Sequence, residues 1–209
     1  MAGASSWSAR WARGRSSRWS CREGEPHSPS PRRAGRGQGR GAERRRLDTA
    51  PLPDPLPGGK REVLRLADAP ATEAVGAELA LKLRPGDVVA LSGPLGAGKT
   101  SIARGLLAAL GLEGEAPSPS FAIVQPYGPP EVRLPVLHVD LYRLDDPDEV
   151  EELGLDDALG DSVLVVEWPE RAGPDRWPDA LRLTLSIEPD GARALTWDAP
   201  AAWEGRWST

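Results

Sequence analysis

The 209-residue chain is 39% hydrophobic and 27% charged, with 26 Lys plus Arg against 31 Asp plus Glu; this is ordinary globular composition, with room for one domain of typical size plus further sequence and none for a large multidomain enzyme. A lone cysteine, Cys21, excludes an internal disulfide framework and a Cys-rich metal centre, and no apolar run approaches the roughly eighteen residues of a membrane helix. Asn is absent altogether.

Charge is divided unevenly. Residues 1–50 hold 12 Arg, no Lys and four acids (Glu23, Glu25, Glu43, Asp48), a net of +8, so the other 159 residues carry a net of −13. The first fifty contain only Leu47 from the Leu, Ile, Val and Phe set, too little apolar surface to offset the entropy of ordering, which predicts disorder. Pro51, Pro53, Pro55, Pro57, Gly58 and Gly59 read as a linker. The expected organisation is therefore a basic extension and linker over 1–60, a folded domain over 61–198 and a C-terminal tail over 199–209. The preferred reading of the extension is translated upstream sequence from a start codon assigned too early, since Arg, Ala, Gly and Pro dominate it as in GC-rich coding. The alternatives are an RNA-contacting arm using its arginines with Trp7, Trp11 and Trp19, and a transit peptide, weakened by Glu23 and Glu25.

From Arg61 onward, strand and helix signals alternate. Glu62 to Leu66 reads as a short strand, and Asp68 as the cap of a helix in which Ala71, Val75, Leu79 and Leu83 recur every four residues. Pro85 and Gly86 turn the chain into Val88 to Leu91, a continuous apolar run expected of a strand buried on both faces of a parallel sheet. A Gly-rich loop follows, then a helix lined by Ile102, Leu106, Leu107 and Leu110 that Gly111 ends in the left-handed conformation. Val136 to Val139 and Val163 to Val166 are two further buried strands, each followed by an acid, Asp140 and Glu167. At the end, Leu181, Leu183, Leu185 and Ile187 alternate with polar residues, Asp190 and Gly191 offer a turn, and Arg193 to Trp197 pairs back as a hairpin. The fold class expected from these elements is α/β, with a mostly parallel sheet and an antiparallel C-terminal end.

The loop Gly93-Pro94-Leu95-Gly96-Ala97-Gly98-Lys99-Thr100 satisfies the phosphate-loop pattern. Glycines let successive backbone N–H groups turn inward around phosphates, and the following helix puts its positive end there. Lys99 supplies charge for the β and γ oxygens, and the Thr100 hydroxyl is a ligand for Mg²⁺. With only three lysines in the chain, a chance match between a buried strand and an amphipathic helix is improbable. The loop identifies a nucleotide but not a reaction. A conventional guanine-nucleotide switch is disfavoured because there is no Asn and no Thr-Lys pair to read the base. A small-molecule kinase remains the alternative, although its usual Arg-rich lid has only the short stretch Arg171 to Arg176, broken by Pro174.

Four motifs occur in order: Leu-Ser-Gly-Pro-Leu-Gly-Ala-Gly-Lys-Thr at 91–100, Ser-Pro-Ser-Phe at 118–121, His-Val-Asp-Leu-Tyr-Arg-Leu at 138–144 and Val-Glu-Trp-Pro-Glu at 166–170. Together they resemble the bacterial TsaE (YjeE) family over roughly residues 62–198. The resemblance implies a three-layer α/β fold of the P-loop NTPase kind and an ATPase that binds ATP and Mg²⁺, works in the cytoplasm with the TsaD and TsaB proteins, and touches tRNA only through that complex. The complex places threonylcarbamoyl on the adenosine next to the anticodon, and ATP hydrolysis resets it between turnovers. Carried onto this chain, Gly93, Pro94, Leu95, Gly96, Ala97, Gly98, Lys99, Thr100 and Ser101 would hold the nucleotide, with Ser120, Trp168 and Arg193 beside it. Lys99, Asp140 and Glu167 would be the catalytic residues, and Thr100, Glu167 and Asp140 would face the metal. Ser120 stands where the family motif usually has Thr. His138, between Leu137 and Val139, is expected to be structural; Tyr142 and Arg143 face either the γ-phosphate or a partner.

Overall fold

A computed structural model describes residues 63–207. The basic extension, the linker, the first residue of the expected strand at Glu62 and the last two residues lie outside the described residues.

Strand β1 (Val63–Leu66) leads to helix α1 (Ala69–Ala80). Asp68 caps this helix by accepting from the Ala71 amide at 2.8 Å, and Pro70 sits in the first turn, where its missing N–H is not needed. The helix ends before Leu83, the last residue of the apolar spacing, which nevertheless packs against the core. Strand β2 (Val88–Ser92), helix α2 (Lys99–Leu110), β4 (Val136–Asp140) and β5 (Val163–Glu167) fall on the expected segments. Gly111 closes α2 with a φ of 114°, the left-handed cap foreseen in the sequence. Strands β6 (Leu181–Ile187) and β7 (Arg193–Asp198) form the terminal hairpin.

The seven strands of the described residues make one sheet in the order β1-β7-β6-β2-β5-β4-β3. Its centre, β6-β2-β5-β4, is parallel, as the long apolar runs require. Antiparallel strands close both ends, not only the C-terminal one. β1 joins β7, and β3 (Val124–Tyr127) adds to β4. The segment of β3 contains Pro126, which argues against a central strand but is compatible with the edge it occupies. The chain between β4 and β5 also forms two one-turn helices with no apolar period, α3 (Pro147–Glu152) and α4 (Leu155–Leu159).

Side-chain alternation divides the sheet's burial between two faces. Val89, Leu91, Val136, Val163, Val165, Leu181, Leu183 and Leu185 share one core with Leu79, Ile102, Leu106, Leu107 and Leu110 of α1 and α2. Ala90, Leu137, Val139, Leu164 and Val166 are buried on the opposite face. The domain does not stop at 198. Trp203 and Trp207, expected in a tail, belong to the core on the α1 and α2 side, and Arg206 fastens them by pairing with both oxygens of Asp87 at 2.8 and 2.9 Å. Two indoles carry more apolar area than a short segment without periodicity reveals, so packing extends the domain past the last strand.

Candidate nucleotide site

The site lies at the carboxyl edge of the parallel strands, where ligands bind in open α/β sheets. Its floor is the loop between β2 and α2. Gly93 has a φ of 134°, and a Cβ there would stand 2.3 Å from the Leu185 carbonyl oxygen, so both backbone conformation and space demand glycine. Gly98, with a φ of 106°, opens α2.

Lys99 is only 4% exposed. Its Nζ donates to the carbonyls of Gly93 at 2.7 Å and Pro94 at 3.0 Å and lies 3.9 Å from the centre of the Trp168 ring. An ammonium has three protons, so two are engaged by the loop itself. Burial pulls the Lys99 pKa below its ordinary 10.5, against the opposing pull of Glu167, Glu170 and Asp140.

The Thr100 hydroxyl lies 2.9 and 3.0 Å from the two carboxylate oxygens of Glu167. Glu167 and Asp140 are register partners at the ends of β5 and β4, both 3% exposed. They have different company. Asp140 Oδ2 accepts from Ser118 at 2.9 Å and Ser120 at 2.8 Å, while its Oδ1 accepts from the Tyr142 amide at 3.0 Å. Of the three residues expected at a metal, the structure thus joins Thr100 to Glu167, whereas Asp140 anchors the Ser118 to Phe121 segment.

A cleft of about 320 Å³ brings most of the expected residues together. Leu95, Gly96, Gly98, Lys99, Thr100, Ser101, Ser120, Asp140, Glu167 and Trp168 line it. Gly93, Pro94 and Ala97 do not: the first two turn their carbonyls to Lys99, and Ala97 is packed in the core. Arg193 reaches the loop from β7, donating from Nη2 to the Gly96 carbonyl at 3.2 Å. Trp168 has a φ of 59°, a left-handed conformation that is strained for a large side chain. Its ring packs 5.1 Å from that of Tyr142.

Tyr142, expected to face either the γ-phosphate or a partner, lines the cleft, as does Ser118 of the Ser-Pro-Ser-Phe motif; Arg104 is a lining residue to which the sequence reading gave no role. Arg104 stands one helical turn after Thr100 and therefore on the same face of α2, a signal present in the spacing. His138 is buried, as expected, but it is not merely packing: its Nε2 lies 2.9 Å from Glu167 Oε1. The Thr100 hydroxyl and the buried Glu167 carboxylate offer oxygen donors of the kind a hard divalent cation takes.

The same segments are shared with known proteins. The family model described as "Threonylcarbamoyl adenosine biosynthesis protein TsaE" matches residues 66–195. A Streptomyces coelicolor protein named tRNA threonylcarbamoyladenosine biosynthesis protein TsaE is 47% identical over 112 residues, covering 53% of this chain and 76% of that protein. The Bacillus subtilis protein of the same name is 35% identical over 136 residues, covering 65% and 84%. The solved structure titled "Crystal structure of Bacillus subtilus YdiB" superposes with a TM-score of 0.56 at 30% identity, covering 67% of this chain and 86% of that one. With the phosphate loop, both strand-end acids and the tryptophan after the second acid all inside the matched span, the chain belongs to the TsaE family of threonylcarbamoyl adenosine biosynthesis proteins.

Proposed function

We propose that this protein binds ATP with Mg²⁺ in the cleft and hydrolyses it in support of tRNA threonylcarbamoylation, acting in the cytoplasm with TsaD and TsaB, which contact the tRNA. The observation that carries this reading is the Thr100 to Glu167 contact beside the buried Lys99, directly behind a phosphate-loop backbone. Backbone N–H groups of residues 96–101 would hold phosphate oxygens, and the third proton of Lys99 would add a charged donor. Thr100 and Glu167 would hold the cation, whose role is to neutralise charge developing on the phosphates. Asp140 keeps Ser118 and Ser120 at the cleft, so a change there passes directly into the following loop.

The arginines favour an ATPase over a small-molecule kinase. Arg171 pairs with Asp145 at 3.1 Å and Arg176 with Asp156 at 2.7 Å, so neither stands ready to fold over phosphates as a kinase lid. Among the described residues no helix is long and apolar enough to cross a membrane.

The test is titration with ATP, with and without Mg²⁺, followed by hydrolysis assays alone and with TsaD and TsaB from the same host. Tight binding that requires Mg²⁺, slow turnover alone and faster turnover with the partners are expected. Phosphate transfer to a small acceptor in place of water would support the kinase instead.

A further inference from the structure

Glu167 shares its carboxylate between donors from two elements. Thr100 spans both oxygens from α2, whereas His138 reaches Oε1 alone from β4, at 2.9 Å. The register explains the reach. His138 pairs with Val165 and Asp140 with Glu167, so alternation puts all four side chains on the sheet face covered by α2. His138 is thus a diagonal neighbour of Glu167, fully buried and outside the nucleotide cleft.

An ionised carboxylate only accepts hydrogen bonds, so the Nε2 facing it carries a proton. The other ring nitrogen, Nδ1, is buried and has no hydrogen-bond partner among the described residues. A proton on Nδ1 would be a buried donor with no acceptor, a larger penalty than an unused lone pair. Together these contacts put the donor at Nε2. We propose that His138 is a positioning residue whose Nε2–H holds Oε1 of Glu167 and so fixes the carboxylate that faces the Thr100 hydroxyl and the bound cation. This rests on the reading of the cleft as a Mg²⁺-ATP site. It assigns strand β4 a part in cation binding, separate from the hold of Asp140 on Ser118 and Ser120. Hydrogen bonds to a metal-binding carboxylate commonly set its orientation and the site's affinity.

Two measurements on the full-length protein test it. The chain has two histidines, His27 and His138, so His27→Gln leaves a single imidazole whose ring-nitrogen chemical shifts report the tautomer. A proton on Nε2 is expected without nucleotide; a ring protonated on Nδ1 alone overturns the proposal. ATP affinity is then compared in Mg²⁺ and in EDTA for wild type, His138→Leu and His138→Gln, the last able to present an amide N–H near the place of Nε2. Affinity in EDTA should be unchanged, while the gain on adding Mg²⁺ falls about tenfold in His138→Leu and is largely restored in His138→Gln. A full gain in His138→Leu, or a His138→Gln protein no better than His138→Leu, overturns this proposal alone. A wild type that binds no ATP overturns the nucleotide reading and this proposal with it. Should His138→Leu fail to fold, the tautomer and the His138→Gln titration decide.

Discussion

Lys99 is an ammonium held in a site that penalises its charge, with two of its three protons engaged by carbonyls of its own loop. Under the proposed function, that placement serves the ligand and not the fold. Lys99→Ala should therefore keep the thermal midpoint of wild type while ATP affinity, followed by calorimetry, drops about 10- to 100-fold, the worth of a charged hydrogen bond. Glu167 bears the opposite charge in the same pocket. Glu167→Gln preserves shape but is a poorer ligand for a hard cation, so Mg²⁺-dependent hydrolysis should fall while ATP binding in EDTA stays; wild-type hydrolysis would remove Glu167 from the metal. Asp140→Asn should impair turnover as well, through Ser118 and Ser120. Tyr127 makes a prediction about pH. Burial, and then the nearby charge of Glu131, raise its phenol above the ordinary 10.0. The folded state thus favours the neutral phenol, a contribution fully present below pH 10.0 and lost as pH rises from there through the raised value. Its hydroxyl has no hydrogen-bond partner among the described residues, so Tyr127→Phe should be neutral or slightly stabilising at pH 7 and should flatten the fall in stability above pH 10.0, measured by urea unfolding across pH.

At the scale of elements, α1 and α2 meet through glycine. A Cβ on Gly76 would stand 2.0 Å from the Ile102 carbonyl oxygen, and one on Gly105 would stand 1.9 Å from that of Glu73. Both obstacles are backbone, so the helices must part to admit a methyl group. Gly105→Ala should cost about 3 kcal/mol, at the upper end for overpacking, despite alanine's better helix propensity, with a lower urea midpoint as the readout. Because α2 also carries Thr100 and Arg104, the displacement should weaken nucleotide binding too. In the sequence, Gly76 and Gly105 look like weak points in two helices. Their role emerges only from the crossing, which places each against the other helix's main chain. Strand β3 was hidden for a similar reason. Pro126 obscures a strand signal, and only a place at the sheet edge makes that residue acceptable.

For the whole molecule, charge and the C-terminal segment matter most. The 159 residues after position 50 carry a net of −13 and should repel a polyanion, leaving tRNA contact to partners. A protein beginning near Arg61 should fold, bind ATP and support tRNA modification with TsaD and TsaB, with little affinity for tRNA alone. Loss of modification by a folded, ATP-competent truncation would instead give residues 1–50 an RNA-binding role. At the other end, Trp203 is 1% exposed and donates from its ring nitrogen to the Asp179 carbonyl at 3.1 Å. Trp203→Ala should cost about 3 to 5 kcal/mol by chemical unfolding, a penalty incompatible with a dispensable tail.

Local patterns sufficed for the phosphate loop, the helix after it, the buried central strands and the acids at their ends. Each of these depends on neighbours a few residues away: glycine spacing, apolar period and a cap are written along the chain. Sequence also contained the four ordered motifs that mark the family. Tertiary structure decided which acid meets which hydroxyl, because Asp140 and Glu167 have equivalent positions in their strands and differ only in what is packed opposite. It likewise placed the buried His138 Nε2 beside Glu167 and drew the two terminal tryptophans into the core. Those contacts span tens to more than a hundred residues of chain, and sheet order and helix crossing set them, so no local periodicity could encode them.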